Sequence, residues 1–299
     1  MPHPLVVAIL LILSAALFFL FWPPPQIAVR TAPAINERLL AQGEYLVRAG
    51  GCHACHTAED GEPLAGGRPL ESALGTFYSP NITPDPDTGI GNWSDAAFVR
   101  AFQHGVTPRG QHYYPAFPYP AYTGLDQQVL LAMRAYLSSL TPVHQPNQEH
   151  ELAWYARFRP ALRVWKLVNF TPWRFEPDPL RGQNWNRGAL LARHLGYCAE
   201  CHSPRDWTGG IIEEYRYAGN PEGPDGQPVP NITPHEEGIA DLSAGDVARF
   251  LELGRTPGGD MVDGEMATLI KESTSGLRPE DRRAIGEYLL SLPPRPTPR

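Results

Sequence analysis

The chain has 299 residues, a formal net charge of −7 at pH 7 and a pI near 5.8. This length allows two domains of ordinary size, and the acidic balance argues against binding to nucleic acid, which requires a basic face. With 33 prolines and 28 glycines the chain is rich in loops, so we expect short helices separated by turns.

The first predicted element is an apolar helix near the amino terminus. Leu5 to Trp22 form a run of 18 residues that only Ser14 interrupts, which is about the length of one membrane crossing. A cleaved signal peptide is the alternative, but the run is long for such a segment, no basic region precedes it, and no small-residue cleavage site follows. The sequence therefore predicts an uncleaved transmembrane anchor over residues 1–26, with Pro23 to Pro25 ending the helix.

All four cysteines belong to two copies of the motif Cys-x-x-Cys-His. The copies comprise Cys52, Cys55 and His56, and Cys198, Cys201 and His202. This motif is the attachment signature for c-type haem, in which the cysteines form thioethers and the histidine becomes the proximal iron ligand. The pairs lie more than a hundred residues apart, too far for a zinc ribbon, and a redox dithiol needs no following histidine. The sequence therefore predicts two covalently bound haem c groups. Covalent haem is attached outside the cytoplasm, so we expect both motifs on the periplasmic side.

Each motif opens a similar series of signals, which indicates an internal repeat. A helix with an apolar stripe precedes each motif, and an Asn-Ile-Thr-Pro loop follows it. A short helix then begins after a serine N-cap, Ser94 or Ser243, and a second amphipathic helix ends each copy at a proline. The predicted fold is mostly α. It consists of two tandem class I cytochrome c domains behind one N-terminal transmembrane helix.

The repeat also predicts the domain boundaries, with cytochrome c domain 1 at residues 34–142 and domain 2 at residues 183–299. An interdomain linker occupies residues 143–182. The sequence between the copies, Val143 to Arg187, is rich in Trp, Phe and Arg, which argues against a disordered tether. We expect this segment to pack across both domains and to set their relative position.

The chain resembles the cytochrome c subunits of membrane-bound bacterial alcohol, gluconate and aldehyde dehydrogenases. The resemblance covers residues 38 to 293 and rests on five stretches. These stretches are YLVRAGGCHACHT, NITPDPDTGIGNWS, YPAFPYPAYTGL, NRGALLARHLGYCAECHSPR and GEMATLIKESTSGLRPEDRRAIGEYLLSLP. Many members of the family carry three haems and a cleaved signal peptide. This chain has two motifs and a predicted anchor, and these departures leave the identity of the partner open.

The proximal histidine fills one side of each iron, so the sixth ligand must come from elsewhere. The family places its distal methionine in a Gly-x-Met context, which implies Met266 for the second haem, with Met261 as the rival. A Met/His pair raises the reduction potential and closes the iron to small molecules. Position 117, which precedes Met266 by 149 residues, is its counterpart in the first copy, and this position is phenylalanine. The phenyl ring of Phe117 has no lone pair for iron.

Four answers remain open for the first haem. His112, in the same loop and aligned with Met261, is a candidate distal ligand through a ring nitrogen. Met133 on the closing helix and His104 beside Gly105 are alternatives, although the position of Met133 suits core packing. The fourth possibility is an iron without a strong sixth ligand. Bis-histidine ligation would place the first haem at the lower potential, so electrons would pass from the first haem to the second.

The resemblance implies an electron carrier rather than an enzyme, and no catalytic residue is predicted. A periplasmic or membrane-bound dehydrogenase would donate electrons, and the respiratory chain would accept them through quinone, a soluble cytochrome or a terminal oxidase. The expected location is the bacterial inner membrane, crossed once, with the haem domains in the periplasm. The alternative is a di-haem enzyme such as a peroxidase, or a haem sensor, if the first haem has an open coordination site.

Overall fold

The computed structural model describes residues 3–22, 27–223 and 226–298. In these ranges the fold is mostly helical. The α-helices are α1 Pro4–Phe21, α2 Glu37–Ala49, α3 Cys52–His56, α4 Asp95–His104, α5 Tyr119–Tyr122, α6 Gln127–Ser139, α7 Ala161–Asn169, α8 Gln183–Leu190, α9 Ala244–Leu253, α10 Gly264–Glu272 and α11 Pro279–Leu290. Short 3-10 helices lie at Trp154–Arg157, Cys198–Glu200, Glu213–Tyr215 and Thr274–Gly276, and a π-helical turn at Leu191–Leu195.

A small antiparallel sheet is the only sheet in the described residues. It contains β1 Pro69–Leu70, β2 Gly75–Tyr78 and β3 Glu151–Leu152 in the order β1-β2-β3. Leu70 pairs with Phe77, and Gly75 pairs with Leu152. The sheet ties the start of the interdomain segment to the loop that follows α3.

Helix α1 is apolar along its described length and is packed against very little of the protein. It is long and apolar enough to cross a membrane, and a signal sequence would meet the same criterion. The helix ends at Phe21, and Trp22 has an extended backbone. Residues 1 and 2 and the prolines from Pro23 to Pro25, which the sequence predicts to end the helix, lie outside the described residues.

Helix α2 packs against α6, and α11 packs against both α8 and α9. The pairs α2 with α6 and α8 with α11 are the two that precede and close around the motifs. Each pair crosses at a glycine. A Cβ added to Gly43 on α2 would lie 2.1 Å from the carbonyl oxygen of Ala132, and one added to Gly188 on α8 would lie 1.9 Å from that of Ala284. The backbones approach this closely because glycine has no side chain.

The two halves differ in the spacing between this crossing and the cysteines. Gly43 precedes Cys52 by nine residues, whereas Gly188 precedes Cys198 by ten. The π-helical turn Leu191–Leu195 accommodates the additional residue, which is the usual effect of one wider turn inside an α-helix. The crossing and the motif therefore keep similar positions despite the insertion.

The predicted starts of α4 and α9 are confirmed. Ser94 accepts a hydrogen bond from the backbone N–H of Ala97. Ser243 forms a full capping box with Asp246, in which each side chain bonds the backbone of the other residue. These caps satisfy backbone N–H groups at the first turn of each helix.

The segment between the two halves contacts both of them. On the first half, the Lys166 ammonium donates to the carbonyl oxygen of Gly105 at 2.7 Å. On the second half, the Trp165 indole donates to the carbonyl oxygen of Thr208 at 2.9 Å. Because Trp165 and Lys166 are neighbours on α7, one short helix is bonded to both halves. One large cluster of buried hydrophobic residues draws on both halves, and Phe77, Tyr114 and Leu152 form a second, smaller cluster at the sheet.

Candidate haem-binding sites

The first Cys-x-x-Cys-His motif forms the short helix α3. Gly51 precedes it with φ of +64°, a left-handed conformation that turns the chain sharply out of α2. Cys52 and Cys55 are both free thiols, so no disulfide competes with the thioether bonds that the motif predicts. His56 ends the helix one residue after the second cysteine.

The imidazole of His56 is oriented by a backbone carbonyl. Its Nδ1 lies 2.7 Å from the carbonyl oxygen of Pro80. Because a carbonyl only accepts hydrogen bonds, Nδ1 carries the proton and Nε2 presents its lone pair. Burial lowers the pKa of His56, which keeps the ring neutral. A neutral imidazole with a free Nε2 is the form that ligates iron.

The second motif has the same arrangement. Its first residues form the 3-10 helix Cys198–Glu200, and the backbone N–H of His202 donates to the carbonyl oxygen of Cys198 at 3.0 Å. His202 Nδ1 lies 2.8 Å from the carbonyl oxygen of Pro230, and burial lowers its pKa. His202 therefore also has the protonation state of an iron ligand. These two matched imidazoles are the observation on which the fit to haem rests.

The cysteine side chains lie in apolar surroundings. Burial raises the pKa of the Cys52 thiol to about 12 and that of Cys198 to about 11. Burial also raises the pKa of Cys201 to about 12. Such an environment opposes a charged thiolate and favours an uncharged sulfur, which is what a thioether provides. The chemistry of the donor set thus fits covalently attached haem at both motifs.

An arginine caps each motif. The Arg68 guanidinium donates to the carbonyl oxygen of Ala54, and the Arg205 guanidinium donates to that of Glu200 at 2.8 Å. Ala54 and Glu200 are equivalent residues, each immediately before the second cysteine. Arg68 also pairs with Glu265 of the second half at 2.7 Å. Positive charge near the last turn of a helix compensates its unpaired carbonyls.

The two motifs lie against each other. A Cβ added to Gly51 would lie 2.7 Å from the hydroxyl oxygen of Tyr197, the residue before Cys198. The Tyr197 ring stands edge-on to Tyr122 with centroids 5.9 Å apart. Tyr197 adopts φ of +38°, which is uncommon for a residue with a side chain. This contact was not predicted from the sequence. The feature of the sequence that could have indicated it is the residue before each motif, which is glycine at the first motif and tyrosine at the second.

The two methionines proposed for the second haem differ in environment. Met266 lies in the first turn of α10, half-buried, and packs against the hydrophobic core. The side chain of Met261 is 62% exposed. A thioether that closes an iron site must be shielded from water, so burial favours Met266 over Met261.

Phe117 belongs to a cluster of aromatic rings. Its ring lies edge-on to Phe102 at 5.2 Å and to Tyr113 at 5.3 Å, measured between centroids. Tyr122 lies 5.7 Å away, and its hydroxyl donates to the carbonyl oxygen of Gly50 beside the first motif. The position that the sequence repeat aligns with Met266 therefore holds a packed ring, which offers no iron ligand.

His112 contacts a buried lysine of the interdomain segment. Its Nδ1 lies 3.0 Å from the Lys166 ammonium, which leaves Nε2 as the nitrogen for a metal. Burial and the nearby charges of Lys166, Arg163 and Arg159 lower the pKa of His112 to about 4, so the ring is neutral near pH 7. Burial lowers the pKa of Lys166 itself to about 7. Sequence reasoning missed Lys166, for which the signal was a single lysine within an aromatic stretch.

The two alternatives for the first haem have other surroundings. Met133 is fully buried on α6, and its methyl group would lie 3.6 Å from a Cβ on Gly50. This places the methyl group at the end of α2, beside the first motif, while the rest of the side chain is part of the hydrophobic core. His104 ends α4, half-buried, and its carbonyl oxygen accepts from Lys166 at 2.6 Å.

No protein-family model matches the chain. Its similarity to curated proteins is extensive, however. A protein of Cereibacter sphaeroides described as a dihaem cytochrome c-type is 40% identical over 296 residues, which covers 96% of each chain. The gluconate 2-dehydrogenase cytochrome c subunit of Pantoea cypripedii is 36% identical over 86% of this chain and 60% of its own length.

The cytochrome c subunit of a quinone-dependent alcohol dehydrogenase from Gluconacetobacter polyoxogenes is 34% identical over 90% of this chain and 59% of its own length. The chain therefore spans less than two thirds of the two dehydrogenase subunits, but nearly all of the Cereibacter protein. Both of its haem attachment motifs lie within this similarity, which covers all but a few residues of the chain. The chain belongs to the c-type cytochrome family of which the Cereibacter sphaeroides dihaem protein is a member.

Proposed function

We propose that the chain is a membrane-anchored dihaem cytochrome c that carries electrons from a dehydrogenase to the respiratory chain. The observation that carries the proposal is the matched pair of motifs, each with free cysteines and a histidine held in the ligand tautomer by a proline carbonyl. The contact between the motifs at Tyr197 and Gly51 supports electron exchange within the chain.

In this proposal each motif holds one haem c. Cys52 and Cys55 form the thioethers of the first haem, and His56 is its proximal ligand. The second haem is attached in the same way, through Cys198, Cys201 and His202. Bound haem c supplies one-electron exchange at its iron. The protein provides the ligands, the apolar surroundings and the separation from water.

The two distal ligands are proposed to differ. Met266 would complete the second haem, because it is half-buried in α10 and packs against the core. His112 would complete the first haem through Nε2, because its ring is neutral and the position of Phe117 offers no ligand. Bis-histidine ligation gives the lower potential, so electrons would enter at the first haem and leave from the second.

The proposed architecture is a tandem pair of class I cytochrome c domains at residues 34–142 and 183–299, joined by a linker at residues 143–182. The parallels between the halves support this division. Both contain a glycine crossing before the motif, a serine-capped helix after it and a closing helix. The sheet and the bonds of α7 to both halves would hold the domains in one orientation.

The anchor is proposed to be α1, within residues 1–26, with the haem domains in the periplasm of a bacterial inner membrane. The apolar length of α1 supports a single crossing. Three relatives are named as cytochrome subunits of gluconate, alcohol and fructose dehydrogenases, which supports a dehydrogenase as electron donor. Quinone, a soluble cytochrome and a terminal oxidase are the candidate acceptors.

Spectroelectrochemical titration of the haem-loaded full chain tests the carrier function. We expect two one-electron transitions, of which Met266→Ala lowers only the upper one. Cys198→Ala combined with Cys201→Ala should halve the haem content. Rapid carbon monoxide binding or peroxide turnover by the parent protein would instead indicate an open iron and a catalytic role. Detergent purification with identification of co-purifying proteins would then name the donor.

A further inference from the structure

Helix α7 has the reverse of the amphipathic arrangement expected for a helix on a water-exposed surface. Its polar groups point inward, where Lys166 is buried and bonded to two carbonyl oxygens of the first half. Its outward face is apolar. Val164 is 48% exposed, and Leu167 and Val168 are each 69% exposed. A soluble protein normally buries such residues, so this face requires a covering that is not water.

Exposed aromatic side chains also lie on the 3-10 helix that directly precedes α7 in the chain. Trp154 is 84% exposed, and Tyr155 and Phe158 are both more than half exposed. Aromatic side chains with one polar edge are enriched where a protein meets the boundary between lipid and water. We call the surface formed by Trp154, Tyr155, Phe158, Val164, Leu167 and Val168 the apolar ledge.

The charge around the apolar ledge differs from that of the whole chain. Residues 152–175 contain no Asp or Glu but include four Arg and one Lys, within a chain of net charge −7. Of these five, Lys166 is buried and Arg174 pairs with Asp126. The charge next to the apolar ledge is therefore supplied by the remaining arginines, Arg157, Arg159 and Arg163. Arg157 is exposed between Trp154 and Phe158. Positive charge beside an apolar surface complements anionic phospholipid headgroups, with about 1 kcal/mol of attraction for each basic residue near the surface.

The apolar ledge also adjoins the end of the apolar helix α1. The Arg163 guanidinium on α7 donates to the carbonyl oxygen of Trp22, and it lies 4.7 Å from the centre of the Phe19 ring. Thus α7 lies where α1 joins the rest of the protein. If α1 crosses a membrane, this position coincides with the headgroup layer.

We propose that the apolar ledge is a membrane-contact surface that lies on the anionic phospholipid layer next to the anchor. Leu167 and Val168 would enter the boundary between headgroups and acyl chains, and Trp154 and Tyr155 would flank them. The inference rests on the proposed anchoring through α1. Because Trp165 and Lys166 bond α7 to both halves, contact along the ledge would hold the haem motifs at a fixed height above the membrane.

The test uses the haem-loaded full chain in phosphatidylglycerol nanodiscs, with one spin label at an engineered cysteine. Leu167→Cys reports on the ledge. Leu253→Cys, at a residue 54% exposed on α9 of the second half, is the matched control. Ile12→Cys reports on α1. Two collision rates of the spin label are measured, one with oxygen, which partitions into lipid, and one with a nickel complex that stays in water. The ratio of the first rate to the second is compared between positions. The parent chain is the negative control for labelling, because its cysteines are bonded to haem and should not react with the spin label.

We expect an oxygen-to-nickel ratio at position 167 that is severalfold above that at position 253 and that falls in phosphatidylcholine nanodiscs. Equal ratios at positions 167 and 253, with a lipid-like ratio at position 12, would contradict membrane contact by the apolar ledge but would agree with anchoring by α1. A water-like ratio at position 12 would overturn the anchor. A label at position 167 that is immobilised but inaccessible to oxygen would indicate a protein partner and contradict the proposal.

Discussion

The residues that precede the two haem motifs meet each other, because the hydroxyl of Tyr197 occupies the space that a side chain at Gly51 would need. Each residue has a left-handed backbone, with φ of +64° at Gly51 and +38° at Tyr197. The same sharp turn therefore leads into both motifs. At the first motif the turn leaves a gap, and the tyrosine of the second motif fills it.

Gly51→Ala should destabilise the protein through this contact. The added Cβ would lie 2.7 Å from the Tyr197 hydroxyl and 3.1 Å from Leu269. Overpacking of this kind costs about 1–3 kcal/mol, in addition to about 1–2 kcal/mol for a left-handed alanine. Denaturant unfolding measures the loss.

Gly67→Ala is the matched control for that experiment. Gly67 has φ of +85°, but an added Cβ would meet only Ala58, at 3.8 Å. The control carries the backbone cost without the clash, so the difference between the two variants isolates the contact. Adding Tyr197→Phe to Gly51→Ala removes the hydroxyl and should recover part of the loss. Equal destabilisation by Gly51→Ala and Gly67→Ala would contradict the contact.

Phe117→Met, made together with His112→Ala so that the proposed sixth ligand is removed, should create a thioether ligand for the first haem. The sequence repeat aligns position 117 with Met266, and a Met/His pair raises the reduction potential. We expect the lower of the two potentials to rise and a near-infrared methionine-to-iron band to appear on a second haem. Phe98→Met, which removes a ring from the same aromatic cluster and is made in the same His112→Ala background, is the control and should change neither. An unchanged lower potential would mean that position 117 does not reach the iron.

His112→Ala tests the proposed ligand of the first haem. Loss of a strong sixth ligand should convert one of the two haems from low spin to high spin, so about half of the total low-spin signal should disappear. Near-infrared magnetic circular dichroism measures the change, because it distinguishes bis-histidine from His/Met ligation. His104→Ala is the control, since both histidines are half-buried and contact Lys166. A low-spin first haem in His112→Ala would rule out His112, and a high-spin one in His104→Ala would identify His104 instead.

Asp281 on α11 should make stability depend on pH. Arg187 donates two hydrogen bonds to its carboxylate, both at 2.7 Å, and the Tyr45 hydroxyl of the first half donates a third. Burial opposes ionisation of Asp281, but these donors outweigh it and lower its pKa. The carboxylate therefore stabilises the fold above the ordinary carboxyl pKa of about 3.9, and the contribution is lost as the pH falls through the folded value.

Asp281→Asn should lower the free energy of unfolding by about 2–4 kcal/mol at pH 7, because Arg187 is left without its partner. The difference from the parent should begin to shrink below about pH 4 and should vanish once the pH has fallen through the lowered folded pKa, where the parent carboxylate is also protonated. Glu287→Gln, which removes an exposed pair with Arg283 on the same helix, should cost less than about 1 kcal/mol. A loss that stays constant down to about pH 2 would exclude Asp281 as the titrating group.

Much of the local chemistry could be predicted from the sequence because it depends on neighbouring residues. The spacing of cysteines and histidine defines a haem attachment motif without any knowledge of the fold. The serine caps at Ser94 and Ser243 and the apolar stripe of α2 likewise follow from short-range hydrogen bonding and helical periodicity. The length and composition of the apolar run also predicted α1 directly.

Contacts between distant residues were decided only by the tertiary structure. Nothing near Tyr197 in the sequence indicates that its hydroxyl reaches Gly51, because the contact requires both halves to be folded and packed. Lys166 appears in the sequence as one basic residue in an aromatic segment, yet it is buried against His112. The replacement of methionine by Phe117 could be read from the repeat alone. A cluster of aromatic rings from α4, α5 and their connecting loop surrounds Phe117. This cluster depends on long-range packing, which a local sequence pattern does not predict.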